Sequence, residues 1–242
     1  YIKIDQRVPP PALALNTIPD YDNLSIKDYN NFGEIGTFRY WRKKDAVGSP
    51  VLSNRGCRAR CTFCSVANFN GLGVRGRSVV SVVDEIQHLK EDYGINHITW
   101  LDDDLFYDAK RALSLFEEIS NRNLDITWDA SNGIIGSAAV MHEELIHAAS
   151  ESGCIGMYFG IESGNSQILR KVKKPSAVKH FLKLGKLMDK YPNIFTRGFL
   201  MMGFPNETLG QIYDTIKLSR EMNLDWYTIQ LLTPLPSTAI YN

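Results

Sequence analysis

Apolar and polar residues alternate along this chain with two periods. In "SVVSVVDEIQHLKEDYG" (residues 78–94), Val79, Val82, Val83, Ile86 and Leu89 recur three and four apart. That spacing gathers them on one helical stripe, with Ser78 suited to the N-cap and Gly94 to the stop. The runs "AKRALSLFEEISNRN" (109–123), "HEELIHAASESG" (142–153), "KHFLKLGKLMDKY" (179–191) and "LGQIYDTIKLSREMN" (209–223) read the same way. Between them lie short runs rich in β-branched and aromatic residues: "PVLSN", "HITWL", "DITWDAS", "IGMYFGIES", "FTRGFLMMGFP" and "DWYTIQLLTP". These predict six strands alternating with helices, hence an α/β fold with a parallel sheet and crossover helices. Several strands are apolar almost throughout, as burial on both faces requires. With no dinucleotide-type glycine fingerprint, the pattern predicts a partial (β/α)6 TIM-like barrel, whose chemistry sits at the C-terminal ends of its strands.

Residues 1–48 have no such period. "RVPPPALALNTIPDYDNL" holds four prolines and reads as an irregular linker or N-terminal extension wrapped over a surface. The main domain is placed at 49–242, with its C-terminal remainder expected beyond residue 242. The opening Tyr1 suggests a fragment or a processed product.

Composition adds mostly exclusions. The chain is 44% hydrophobic and 22% charged, and its 27 basic and 27 acidic residues cancel. No global charge points to nucleic acid or a membrane surface, and no apolar run approaches the roughly 20 residues that span a bilayer. Four cysteines, three of them clustered, are unlike a secreted disulfide framework and suggest a reducing, cytoplasmic setting with metal or redox chemistry,.

Chemistry concentrates in "NRGCRARCTFCSVANF" (54–69), where Cys57, Cys61 and Cys64 fall within eight positions. A zinc site would need a fourth N or S ligand. Cys154 opens the predicted fourth strand and is most simply a buried apolar residue; His88 lies inside a helix. Three thiolates can instead hold three irons of a [4Fe–4S] cube and leave the fourth iron open. Other polar groups fall at strand ends: Asp102, Asp103 and Asp104 after the second strand, Glu162 and Ser163 after the fourth, Asn206 and Glu207 after the fifth. Arg55, Arg58, Arg60, Arg75 and Arg77 surround the cysteines, with no acidic residue between Asp45 and Asp84. Two signals are set aside. The histidines of "HEELIH" are five apart, about 140° around a helix rather than on one face. The run "KVKKP" reads as a solvated helix end.

Together "RGCRARCTFCS", "GRSVVSVVDEI", "ITWLDDDLF", "YFGIESG", "RGFLMMGFPNET" and "LLTPLPST" resemble the radical S-adenosylmethionine (SAM) superfamily over about residues 49–242. The match is to the subgroup whose members often carry an N-terminal cobalamin-binding domain, although the Asp-x-His-x-x-Gly cobalamin motif is absent from this chain. The resemblance implies a [4Fe–4S] cluster on Cys57, Cys61 and Cys64 that chelates SAM and cleaves it reductively. The resulting 5′-deoxyadenosyl radical would take hydrogen from a small-molecule substrate. A reductase such as flavodoxin or ferredoxin would supply the electron. It further implies Phe63 near the adenine, Asp102 or Asp103 on the SAM ammonium, Glu162 and Ser163 on the ribose, Arg197 on the SAM carboxylate, and Gly203 where backbone approaches the adenine. A cobalamin-dependent methyl transfer, with cobalamin on a domain outside this chain, is one outcome for the full-length protein. A non-catalytic iron–sulfur module for electron transfer or scaffolding is the alternative.

Overall fold

The computed structural model describes residues 11–26, 28 and 44–241. The rest of the expected linker lies outside them. Strand β1 (Gly48–Val51) leads into β2 (Asn54–Arg55), helix α1 (Val66–Asn70) and β3 (Arg75–Gly76). There follow α2 (Val79–Tyr93), β4 (His97–Trp100), α3 (Ala109–Asn121), β5 (Thr127–Ile135), α4 (Gly136–Met141), α5 (Glu143–Glu151) and β6 (Cys154–Glu162). Then come α6 (Ser166–Lys171), α7 (Val178–Met188), β7 (Phe195–Met202), α8 (Leu209–Met222) and β8 (Trp226–Leu231). Six strands form one sheet in the order β1-β4-β5-β6-β7-β8, and every neighbouring pair is parallel. The two short strands pair antiparallel with each other instead. The main sheet is a six-stranded open barrel whose edges are β1 and β8.

Local chemistry sets the helix ends. Ser78 accepts from the Ser81 amide, and Gly94 closes α2 at φ 70°. Asp108 accepts from the Arg111 amide at 3.0 Å, and Thr208 and Gln211 cap α8 reciprocally,. Packing contributes more. Val82, Val83, Ile86 and Leu89 of α2 are fully buried, which stabilises by roughly 6–12 kcal/mol, against about 1 kcal/mol for one cap. The outward faces of the strands meet the helices: Trp128 of β5 stacks on Phe116 of α3, with ring centroids 5.0 Å apart.

The inward faces are polar near the N-terminal ends of the strands. His97 Nε2 and Asp129 Oδ2 stand 2.9 Å apart, both fully buried. Arg197 Nη2 donates to Thr228 Oγ1 at 3.0 Å, and its guanidinium lies over the Tyr158 ring. Tyr158 in turn stacks on Phe199. Among the described residues no helix is long and apolar enough to cross a membrane.

Residues 11–26 lie beside β1 and α2. Asn16 accepts from the Ser78 amide at 2.8 Å, and the Tyr21 hydroxyl donates to buried Glu85, which also binds Arg77.

Candidate active site

The chain from Gly56 to Val74 forms one loop over the C-terminal rim, drawn closed at its base by the β2–β3 pairing of Asn54 with Gly76 and Arg55 with Arg75. Gly56 has φ +91°, and a Cβ there would collide with the Gly73 carbonyl oxygen. Only glycine therefore fits this crossing without strain.

Asp103 and Asp104, just after β4, hold this loop down, and Asp102 holds the Ser53 turn that leads into it. Asp102, buried, accepts from the Ser53 amide at 3.1 Å and from its hydroxyl at 2.7 Å. Asp103 accepts from the Gly56 amide at 3.1 Å and from Asn70 Nδ2 at 2.7 Å. Asp104 pairs with Arg58 at 3.0 Å. Burial pushes the Asp102 carboxyl up to about 6 against the lowering effect of its Ser53 bonds. Burial likewise raises Asp104, opposed by Arg58. The far side of the loop is tied by Thr62, whose amide donates to Val172 O and whose carbonyl accepts from Ile240, both near 3.0 Å.

Cys57, Cys61 and Cys64 all line one cavity of about 280 Å³, together with Arg60, Phe63, Asp103, Asn132, Gly133, Gly160, Glu162, Lys174 and Phe199. A second lobe of about 590 Å³ shares Phe63, Cys64 and Glu162 and continues to Gln230–Thr233 at the end of β8. Burial raises the thiols of Cys57 to about 12 and of Cys61 to about 11, so a bound cation is needed to hold them as thiolates near neutral pH. No three His, Cys, Asp or Glu side chains among the described residues stand close enough to share one metal ion. A [4Fe–4S] cube asks for a different arrangement, one thiolate on each of three irons; Cys57, Cys61 and Cys64 offer three thiols to one common cavity.

Glu162 ends β6 at φ +66° and pairs with Lys174 Nζ at 2.8 Å, both side chains nearly enclosed. Burial disfavours the ammonium, but Glu162 and Cys61 outweigh that and leave the Lys174 pKa raised. Gly160 makes room for the pair, since a Cβ there would crowd Lys174 Nζ and the Glu162 carboxylate.

The structure thus brings Phe63, Asp103, Glu162 and the three cysteines together, and keeps four other candidates out of the cavity lining. Asp102 is turned down onto Ser53. Ser163 is buried behind the strand, its hydroxyl 3.3 Å from that of Thr215 and accepting from the Asn165 amide. Arg197 lies two positions before Phe199 on the inward face of β7, and only Phe199 reaches the lining. Gly203 adopts φ +87° with open space where a Cβ would be, and its amide donates to Glu207 at 2.7 Å. Phe63 packs edge-on against Phe204 with centroids 6.1 Å apart, so it serves packing as well as lining. The basic run 171–175 is not a solvated end throughout, because Lys174 is enclosed. Of the arginines, Arg77 is buried on Glu85 and Arg58 is paired to Asp104. Lys174, Asn132 and Gly133 escaped the sequence reading. The small Gly160 two residues before Glu162 was the one hint of a side chain needing space there.

A three-cysteine loop over the C-terminal rim of an open parallel barrel defines a class of iron–sulfur enzymes, and the chain belongs to it: a model of the radical SAM superfamily matches residues 51–219. Relatives narrow the class. The chain is similar to an uncharacterized methyltransferase of Pyrococcus horikoshii, 32% identical over 96% of this chain and 48% of that protein. It is also similar to the cytidylyl-2-hydroxyethylphosphonate methyltransferase of Streptomyces wedmorensis, 34% identical over 81% of this chain and 36% of that protein. The chain therefore spans about half or less of these relatives. The fold matches that of TsrM from Kitasatospora setae, a radical SAM methyltransferase solved with cobalamin and a [4Fe–4S] cluster. The TM-score is 0.73 at 20% identity, over 88% of this chain and 40% of that one.

Proposed function

We propose that this chain is the SAM-cleaving core of a larger methyl-transferring radical enzyme. The single observation that carries the reading is the convergence of Cys57, Cys61, Cys64, Asp103 and the Glu162–Lys174 pair on one cavity. When bound, a [4Fe–4S] cluster with one open iron supplies the electron that splits the SAM sulfonium. The residues of the chain bind and orient. Cys57, Cys61 and Cys64 would hold the cluster. Asp103 offers a carboxylate to the SAM ammonium, a charge-assisted bond. Lys174 is an enclosed cation suited to the SAM carboxylate, and Glu162 keeps it charged and in place while facing the ribose. Phe63 and the backbone of Gln230–Thr233 border the second lobe, which has the room and the flat apolar wall that an adenine needs. Phe63, Phe199 and Ile134 give the cavity apolar walls, which reduce the water around a reactive intermediate.

Methyl transfer rather than hydrogen abstraction alone is favoured by the two relatives named as methyltransferases. Cobalamin would come from another domain of the full-length protein. The test is anaerobic reconstitution, reduction with dithionite and addition of SAM. About four irons per chain and release of 5′-deoxyadenosine with methionine are expected, both lost on Cys→Ala at any of the three positions. Stoichiometric zinc without iron uptake sinks the reading.

A further inference from the structure

Four charged side chains line the cysteine cavity: Arg60, Asp103, Glu162 and Lys174. Three of them are already engaged. Glu162 and Lys174 pair with each other, and Asp103 accepts from the Gly56 amide and from Asn70. Arg60 differs. It is exposed, so it stands at the mouth, and it has no hydrogen bond or ion pair among the described residues. The other arginines of this region are directed elsewhere. Arg58 pairs with Asp104, and Arg75 donates to the Asn70 carbonyl. Arg55 and Arg77 line a different cavity, where Arg77 pairs with Glu85. Asn132, the other exposed polar residue of the cysteine cavity, is neutral, and its Nδ2 donates to the carbonyls of Leu101 and Asp102. Much of the remaining lining is apolar: Val66, Ala67, Ile134, Ile135 and Phe199.

We propose that Arg60 is a specificity-determining residue: it anchors a substrate that is a small organic anion with an apolar body, by its phosphonate, phosphate or carboxylate group. The inference rests on the function proposed above and names the substrate class of the same site. In that function Asp103 answers the SAM ammonium and Lys174 the SAM carboxylate, so the Arg60 charge is the one left unmatched. A guanidinium presents a planar fork of N–H donors that fits an oxyanion two bonds at a time. An anion that enters beside the cluster thiolates meets like charge, and a cation at the mouth offsets that repulsion. Holding the charged end at the mouth leaves the apolar body to the apolar wall, which orients the substrate as well as binding it. The rival role for Arg60 is a counter-charge to the cluster alone, and it makes a different prediction.

The test uses the reconstituted protein saturated with SAM, its cluster kept oxidised so that SAM stays intact. Phenylphosphonate, benzoate and neutral benzyl alcohol are titrated calorimetrically. At least one of the two anions should bind, and Arg60→Gln should weaken the tighter one about tenfold or more. Arg60→Lys should keep part of that affinity, since it retains the charge without the fork. Benzyl alcohol should bind more weakly and equally to all three proteins. Iron content and SAM affinity should not change with Arg60→Gln. The proposal is overturned if neither anion binds the unsubstituted protein, if Arg60→Gln leaves anion affinity unchanged, or if SAM affinity falls in step with it. A shifted cluster potential with unchanged anion affinity would assign Arg60 to the counter-charge role instead. Failure of the unsubstituted protein to take up iron or to bind SAM would overturn the proposed function itself.

Discussion

Glu162 and Lys174 show how a site residue is chosen by its partner. Each is a charge almost removed from water, and each is tolerable only because the other is 2.8 Å away,. Lys174→Met strands the Glu162 carboxylate and is expected to destabilise the protein by about 3–5 kcal/mol while weakening SAM binding, with Lys174→Arg partly restoring both. Urea unfolding and equilibrium dialysis measure these, and a stability loss under about 1 kcal/mol would contradict the coupling. Asp102 makes the opposite kind of prediction. Its folded-state pKa of about 6 lies above the ordinary 3.8, so folding favours the protonated form. That contribution is fully present below the ordinary value and is lost as pH rises through about 6, a fall of roughly 3 kcal/mol. Asp102→Asn should flatten this part of the thermal-stability profile between pH 4 and 6; parallel profiles for the two proteins would refute it. The aspartate run was legible as a site, but which member faces the cavity was not. The choice depends on how the irregular segment after Trp100, where β4 ends, turns toward the loop.

At the scale of elements, the loop closed by β2 and β3 matters more than its size suggests. Gly56→Ala would force its new Cβ against the Gly73 carbonyl, in a backbone region that costs a non-glycine residue on the order of 1 kcal/mol or more. Iron content after reconstitution is expected to fall well below that of the unsubstituted protein, with far-UV circular dichroism unchanged. Full iron loading would show that the crossing is not needed. The main crossover helices were readable because each carries a sustained period, and the six barrel strands because each is an apolar, β-branched or aromatic run set between helical stretches. The two-residue strands β2 and β3 carry neither signal. Helices α1, α4 and α6 span only five or six residues, too short for an apolar stripe to repeat. Strand β5 runs to Ile135, past the polar "SNG" where a strand reading stops, because register shifts between Ala130 and Ile134 carry it through.

For the molecule as a whole, the partial barrel expected from the sequence leaves an open edge. Strand β8 pairs only with β7 among the described residues and leaves Trp226 and Ile229 more than half exposed. Exposed apolar edge strands promote association. Ile229→Lys should therefore lower light scattering at high protein concentration without changing SAM binding, and unchanged scattering would argue that the edge is already blunted. The legible part of the site, three cysteines at family spacing, was local in sequence. The illegible part, Lys174 against Glu162 and Asp103 against Gly56, is assembled across crossovers and cannot be read from any one window.

The tethers from Asp102, Asp103 and Asp104 to Ser53, Gly56 and Arg58 hold the cysteine loop through protein bonds alone. The hold is shared among three carboxylates that meet the chain at three successive places, so losing any one of them should loosen the loop locally rather than release it.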